Sequence, residues 1–260
     1  MLAAGSLRGP SRANNSRDDL MQWCYTPLMK YDLVLSSGFL AFARHIGVLR
    51  ALQNRQVEIE AVVGTSSGAL VGALWAAGHD ADQICQWLQE RRPISLMRPH
   101  LRPWRGLLSL QPLVQFLRQR LPPNVEDLPL PFAVGVIDLQ GQHRLLTEGD
   151  LACAVAASCA MPWIFASVEV QGERFEDGGA ADRLAVEPWR RWRPGRQAIA
   201  HQVQRTAGKD LNVSWQGVMR IQTPRSGASF WSLGDVMGQS LQAETLALEV
   251  LQSLASESAE

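Results

Sequence analysis

The chain has 260 residues, 46% hydrophobic and 19% charged, with 25 acidic side chains against 25 lysines and arginines. That balance builds a real core, for one sizeable α/β domain or two small ones, and zero formal charge excludes bulk attraction to nucleic acid. Four cysteines (Cys24, Cys85, Cys153 and Cys159) show neither metal spacing nor a dense disulfide pattern, and the longest apolar runs fall short of the roughly 20 residues a membrane span needs. The expectation is a cytoplasmic protein, at most peripheral to a membrane, with no metal or organic cofactor called for.

Residues 1–28, opening "MLAAGSLRGPSRANNSR", lack the apolar core of a secretory signal. They read as a disordered extension, or as an upstream start with translation beginning near Met29. Their Arg- and Ser-bearing, acid-free opening is weakly like an organelle transit peptide. The patterned sequence, and the domain at 29–260, begins at "YDLVLSS" (31–37), a buried parallel strand. Residues 40–54 follow at helical spacing, with Ile46, Leu49 and Leu52 on one side. "EIEAVVG" (58–64) is a second strand, and the helix "SGALVGALWAAG" stops at Gly78. Asp80 is placed to cap the next helix, "ADQICQWLQERR". Strand and helix alternating through short links predict an α/β fold, a three-layer sandwich with a mainly parallel central sheet.

From Pro93 to Pro123 the chain turns Pro- and Arg-rich around a short helix near 111–120, an excursion rather than a second domain. "FAVGVIDL" (132–139) returns to the sheet and "HRLLTEG" adds a strand. Helix 150–158 leads into a long loop, and "SVEVQGERFEDGG" reads as a hairpin ending on a turn. Beyond it "WRRWRPGR" is irregular, "GVMRIQ" (217–222) is a late strand, and 233–254 closes the chain as an amphipathic helix.

The second strand delivers Gly64-Thr65-Ser66-Ser67-Gly68, the Gly-x-Ser-x-Gly pattern of a nucleophile elbow. A serine lifted on a sharp strand-to-helix turn forces the residues two before and two after together, where only small side chains fit. The helix behind it aims its N-terminal amides at the site, which favours developing negative charge. A serine needs a base. His79 stands at a helix end, His100 in the Arg/Pro loop, His143 on a strand and His201 in a helix-like stretch, and none has a catalytic-looking turn around it. Asp177, before Gly178 and Gly179, sits on a turn that can approach another loop unobstructed; by itself Asp-Gly is a common turn signal.

"GTSSG" followed by "ASCAMPWIFASVEVQGERFEDGGAADRLAVEP" resembles the patatin-like phospholipases in motif, order and spacing, and "HIGVLRAL" resembles the helix after that family's first strand. The likeness covers most of 31–190. It implies a patatin-like fold and hydrolysis of lipid esters by a serine–aspartate dyad without histidine, with Ser66 and Asp177 in those positions and His45 left to helix packing or capping. It also implies an oxyanion hole of backbone amides in the first loop. The family loop is glycine-rich with an arginine; here the same register reads Ser36, Ser37, Gly38, Phe39, Leu40, Ala41, Phe42. Gly38 and Phe39 are the expected donors, while Phe39 and Phe42 would be costly if their backbone had to take positive φ. Two readings follow: an active acyl hydrolase acting on a lipid ester, or a catalytically weak relative that binds lipid or a partner. A third, an unrelated α/β binding domain, leaves both motifs as turns. Arginine interleaved with Leu96, Met97, Leu101 and Trp104 in 91–106, and with Trp189 and Trp192 in 189–196, raises a peripheral membrane contact against the plainer reading of solvated arginine loops with tryptophans packed inward.

Overall fold

A computed structural model describes residues 30–205 and 210–257; the N-terminal extension expected at 1–28 lies outside them. The elements begin with β1 (Lys30–Leu35), α1 (Phe42–Asn54), β2 (Glu58–Thr65), α2 (Ser67–Ala76) and α3 (Ala81–Gln89). The Pro/Arg-rich excursion holds the two-residue strands β3 (Arg98–Pro99) and β4 (Leu108–Ser109) and then α4 (Gln111–Arg118). β5 (Phe132–Asp138), β6 (His143–Leu146), α5 (Leu151–Ser158), β7 (Val168–Val170) and β8 (Glu173–Asp177) follow. The chain ends with α6 (Val186–Trp192), β9 (Ala198–Val203), β10 (Val218–Thr223) and α7 (Val236–Glu257).

The main sheet runs β10-β9-β1-β2-β5-β8-β7, with β6 also on β5. Pairings from β10 through β5 are parallel, and those of β5 with β6 and β8, and of β7 with β8, are antiparallel. Side chains alternate across a strand. Leu33, Leu35 and Val62 therefore enter one core with α1 to α5 and α7. Val34 and Val63 enter a second with α6, through Val186 and Trp189. These are the three expected layers, the second face carrying the thinner cover.

Most predicted elements stand where the sequence puts them, including the Asp80 cap, whose carboxylate accepts from the Gln83 N–H at 2.8 Å. Two do not. "AIAHQV" is a central strand, β9, rather than a helix-like stretch, because every one of its residues is buried between β1 and β10. "VEPWRRW" is a helix, not an irregular segment. Its Trp189 is buried and donates its indole N–H to the buried Asp32 carboxylate at 2.9 Å, which Arg193 also meets at 3.1 Å. Trp189 of this arginine–tryptophan stretch therefore packs inward, while Trp192 is half-buried.

Two pairings of β5 position the site. β6 lies along residues 134–137 of β5. β2 pairs with 132–135 and β8 with 136–138, each overlapping the β6 span, so both occupy the opposite edge. The end of β2 at Thr65 faces Gly135, and the end of β8 at Asp177 faces Val136, the next residue along. Two chain segments far apart in sequence thus terminate side by side on one edge.

Candidate active site

Ser66 occupies the sharp turn between β2 and α2 with φ 54° and ψ −118°, a conformation L-residues seldom take and that costs of order 1–3 kcal/mol. Crowding around it is severe. A Cβ on Gly64 would lie 2.5 Å from the Gly68 carbonyl oxygen, and one on Gly68 would lie 2.3 Å from that of Leu35. The small residues two before and two after the serine are therefore required by backbone contact, as the pattern implied. The turn is braced by the end of α5: the Ser158 hydroxyl accepts from the Ser66 N–H at 2.8 Å and donates to the Gly135 carbonyl at 2.6 Å. Cys159 Sγ donates to the Ser66 carbonyl at 3.4 Å.

The same stretch holds the aspartate. The Asp177 N–H donates to the Ala160 carbonyl at 2.9 Å, so "SCA" (158–160) fixes the serine and the acid together. Neither Ser158 nor Ala160 could be singled out in the sequence, where the run matched only as a segment. The Asp177 carboxylate is buried, and that burial raises its pKa to about 6 despite opposing help from the Gly179 N–H, the Ser66 hydroxyl and the Arg183 charge. The Gly179 N–H donates to Oδ1 at 2.8 Å. Gly178 and Gly179 admit this turn: a Cβ on the first would lie 2.5 Å from the Gly135 oxygen, and on the second 2.4 Å from Ser37 Oγ. Ser66 and Asp177 line one cavity of about 120 Å³, whose walls include Leu70, Leu96, Met97, Leu110, Leu113 and Phe165.

The first loop, between β1 and α1, runs beside this cavity. Its one residue of positive φ is Leu40, at 47°, and neither Phe39 nor Phe42 is strained. The feared cost of phenylalanine in the glycine positions is therefore not incurred; the chain turns one residue later. Gly38 is needed for space, since a Cβ there would lie 2.8 Å from that of Ala41. The Ser36 and Ser37 N–H groups are taken by the His201 and Arg183 carbonyls, whereas those of Gly38 and Phe39 have no acceptor among the described residues. Arg183 clamps the loop: its Nη2 donates to the Ser37 carbonyl at 2.6 Å and the Val203 carbonyl at 3.0 Å, and its Nη1 meets Asp210 at 2.9 Å. No sequence signal marked Arg183 for this task.

His45 and His201 form a buried pair with facing Nδ1 atoms 2.8 Å apart. His45 Nε2 lies 3.2 Å from Ser67 Oγ and His201 Nε2 lies 2.9 Å from Thr223 Oγ1. Burial lowers the His45 pKa to about 3 and the His201 pKa well below its ordinary value. His45 is thus a neutral packing group hydrogen-bonded to the serine next to Ser66. Of the other histidines, His79 bonds the Arg120 carbonyl and His100 the Arg102 carbonyl.

A serine on a strained turn and a carboxylate on a glycine turn meet at an apolar cavity, and comparison with known proteins gives the group. The model of the patatin-like phospholipase family matches residues 33–188. The chain belongs to this family. Among its relatives, an uncharacterised NTE family protein of Mycobacterium tuberculosis (strain ATCC 25618 / H37Rv) is 34% identical over 161 residues, covering 60% of this chain and 44% of that protein. The neuropathy target esterase sws of Drosophila persimilis is 29% identical over 161 residues, covering 58% of this chain and 11% of the esterase. Lysophospholipase NTE1 of Mycosarcoma maydis is 26% identical over 170 residues, 61% of this chain and 9% of the enzyme. The chain thus matches less than half the length of each of these relatives. Solved VipD from Legionella pneumophila is similar in fold, with a TM-score of 0.51 at 16% identity, covering 88% of this chain and 67% of that one.

Proposed function

We propose that this patatin-like chain is a serine acyl hydrolase that cleaves a lipid carboxylic ester, with Ser66 as nucleophile and Asp177 as its base. The observation that carries the reading is the placement of both groups on one apolar cavity, with a carboxylate made more basic by burial. Asp177 takes the hydroxyl proton as Ser66 Oγ attacks the ester carbonyl. The oxyanion forms beside the Gly38 and Phe39 amides, which point to no other acceptor among the described residues. Collapse expels the alcohol, which leaves with the proton from Asp177, and the acyl group stays on Ser66. Water, deprotonated by the same carboxylate, then attacks the acyl-enzyme, and Asp177 returns that proton to Ser66 Oγ as the fatty acid leaves. The intact amides favour this over a binding-only role. The printed name of the Mycosarcoma maydis relative supports a lysophospholipid as one substrate class.

A lipid substrate brings the chain to a surface, and the Pro/Arg-rich excursion offers one. Leu101 is 96% exposed, Trp104 79% and Trp163 91%. Trp104 and Trp163 line one depression with Leu139, and Phe165 lines both that depression and the acyl cavity. No acidic side chain occurs between Glu90 and Glu126, while Arg98, Arg102 and Arg105 are exposed among these apolar groups. That mixture suits the headgroup layer of an anionic membrane. Among the described residues no helix is long and apolar enough to cross a membrane, so the contact proposed is peripheral.

The test is a fluorophosphonate probe on the full chain. Covalent labelling that disappears in a folded Ser66→Ala variant supports the reading; a folded parent that never labels and releases no fatty acid from a lysophospholipid overturns it.

A further inference from the structure

Between β10 and α7 the chain makes a loop outside residues 33–188, so the family likeness does not speak for it. Its ends meet at Gly227 and Gly234: a Cβ on Gly234 would lie 3.0 Å from the Gly227 carbonyl oxygen. The buried Gln239 side chain ties this neck. Its Oε1 accepts from the Gly227 N–H at 3.2 Å, and its Nε2 donates to the Leu233 carbonyl at 3.0 Å. A loop closed at the neck in this way is a compact unit of the surface. At its tip the Ser229 N–H donates to the Ser232 carbonyl at 2.7 Å, which makes Phe230 and Trp231 the two central residues of a tight turn. The two rings part there. Trp231 is 71% exposed, whereas Phe230 is half-buried and lines the acyl cavity.

The ring is held in place. Phe39, part of the same cavity wall, meets it edge-to-face with centroids 5.2 Å apart at 84°. The Phe230 carbonyl accepts from the Ile94 N–H at 2.8 Å, which anchors the tip to the excursion. The Ser226 hydroxyl donates to the Phe39 carbonyl and joins the loop to the first loop. Leu70, Leu110, Leu113 and Phe165 complete the apolar wall from the buried core, while Phe230 is brought to it by a surface loop. An apolar cavity of about 150 Å³ takes up one benzene, so this one of about 120 Å³ has room for an acyl group of about four to six carbons.

We propose that Phe230 sets the acyl-chain length, and that with its ring in place the preferred substrate is an ester of a short-chain fatty acid. The proposal rests on the hydrolase reading and adds to it the acyl part of the substrate; within the lysophospholipid class it selects short acyl chains. A longer chain must either leave its tail in water or displace a packed ring, and both are unfavourable. Removing the ring joins its space to the cavity and admits the longer tail.

The test compares kcat/KM for p-nitrophenyl esters from acetate to decanoate, kept dilute enough to stay monomeric, in the parent and in Phe230→Ala. In the parent the value is expected to peak at butyrate or hexanoate and to be lower by about 10-fold or more for decanoate. Phe230→Ala should raise the decanoate-to-butyrate ratio by about 10-fold or more. Phe230→Leu, which keeps a side chain to pack the loop, should move the ratio the same way by less. Trp231→Ala, on the exposed side of the same turn, should leave it within about 2-fold. A parent that favours decanoate, a ratio unmoved by both Phe230 substitutions, or an equal shift from Trp231→Ala overturns the proposal. Equilibrium binding of methyl ketones of the same chain lengths to Ser66→Ala reads the preference without catalysis. Short ketones are expected to bind best, and long ones to gain when Phe230→Ala is added. If no ester is hydrolysed while the ketones keep this order, the hydrolase reading falls and the chain-length assignment stands. Ketone binding indifferent to Phe230→Ala overturns the assignment even where esters are hydrolysed.

Discussion

In the proposed mechanism Asp177 must be dry enough to be a useful base and yet ionised when the serine needs it. Burial raises its pKa from 3.8 to about 6, so kcat/KM should climb as pH rises through about 6 and level off above it, a profile measured with a soluble ester. Asp177→Asn removes the base and should lower kcat by about 10²–10⁴. It should also stabilise the fold at alkaline pH. Between 3.8 and about 6 the native state binds more protons than the unfolded chain, so stability contributed by this group falls as pH rises through that window. The neutral amide escapes that loss, and the gain in Tm over the parent should be larger at pH 8 than at pH 4. A parent–variant difference that stays flat with pH would refute the buried-charge account. At Gly179 the constraint is space: Gly179→Ala places a methyl 2.4 Å from Ser37 Oγ, and should cost about 1–3 kcal/mol in denaturant melts while disturbing the loop that carries the amides.

Among the elements, the end of α5 does more than its sequence announces. Ser158 joins the Ser66 N–H to the Gly135 carbonyl, and Ser158→Ala leaves both buried groups without that partner. The expected cost is about 1–3 kcal/mol in stability, with a fall in kcat at nearly constant KM as the turn loosens; an unchanged kcat would show that α5 does not position the serine. This brace was not legible, because a serine at a helix end has the same signature whether it caps, packs or supports a neighbour. β9 was missed for a related reason. Alanine-rich "AIAHQV" has helical propensity, and only its placement between two parallel strands makes it extended. By contrast the β7–β8 hairpin was plain in the sequence: Gln171 and Gly172 both take positive φ, at 52° and 83°, as a two-residue turn demands.

On the scale of the whole molecule, the exposed rim near the excursion shares Phe165 with the acyl cavity. An apolar side chain moved from water into the interface is worth about 1.5–3 kcal/mol. Leu101→Ser/Trp104→Ser/Trp163→Ser should therefore reduce co-flotation with anionic vesicles at least 10-fold, with hydrolysis of a short water-soluble ester retained. Binding that is equally strong in the triple variant would place the membrane contact elsewhere.

Read alone, the sequence determined the local chemistry: a strand ending in Gly-x-Ser-x-Gly, an Asp-Gly-Gly turn, a hairpin and a run of α/β elements, each set by residues within a few positions of one another. It also carried the family likeness, since that rests on motifs in order. What only the tertiary structure decided is who meets whom. Ser66 and Asp177 come together because β2 and β8 end on adjacent residues of the same edge of β5, a matter of strand order that no local pattern encodes. The arginine that clamps the first loop and the histidine pair behind it are likewise products of long-range packing. Local propensity acts over a turn or two of chain; burial and sheet pairing join segments more than a hundred residues apart.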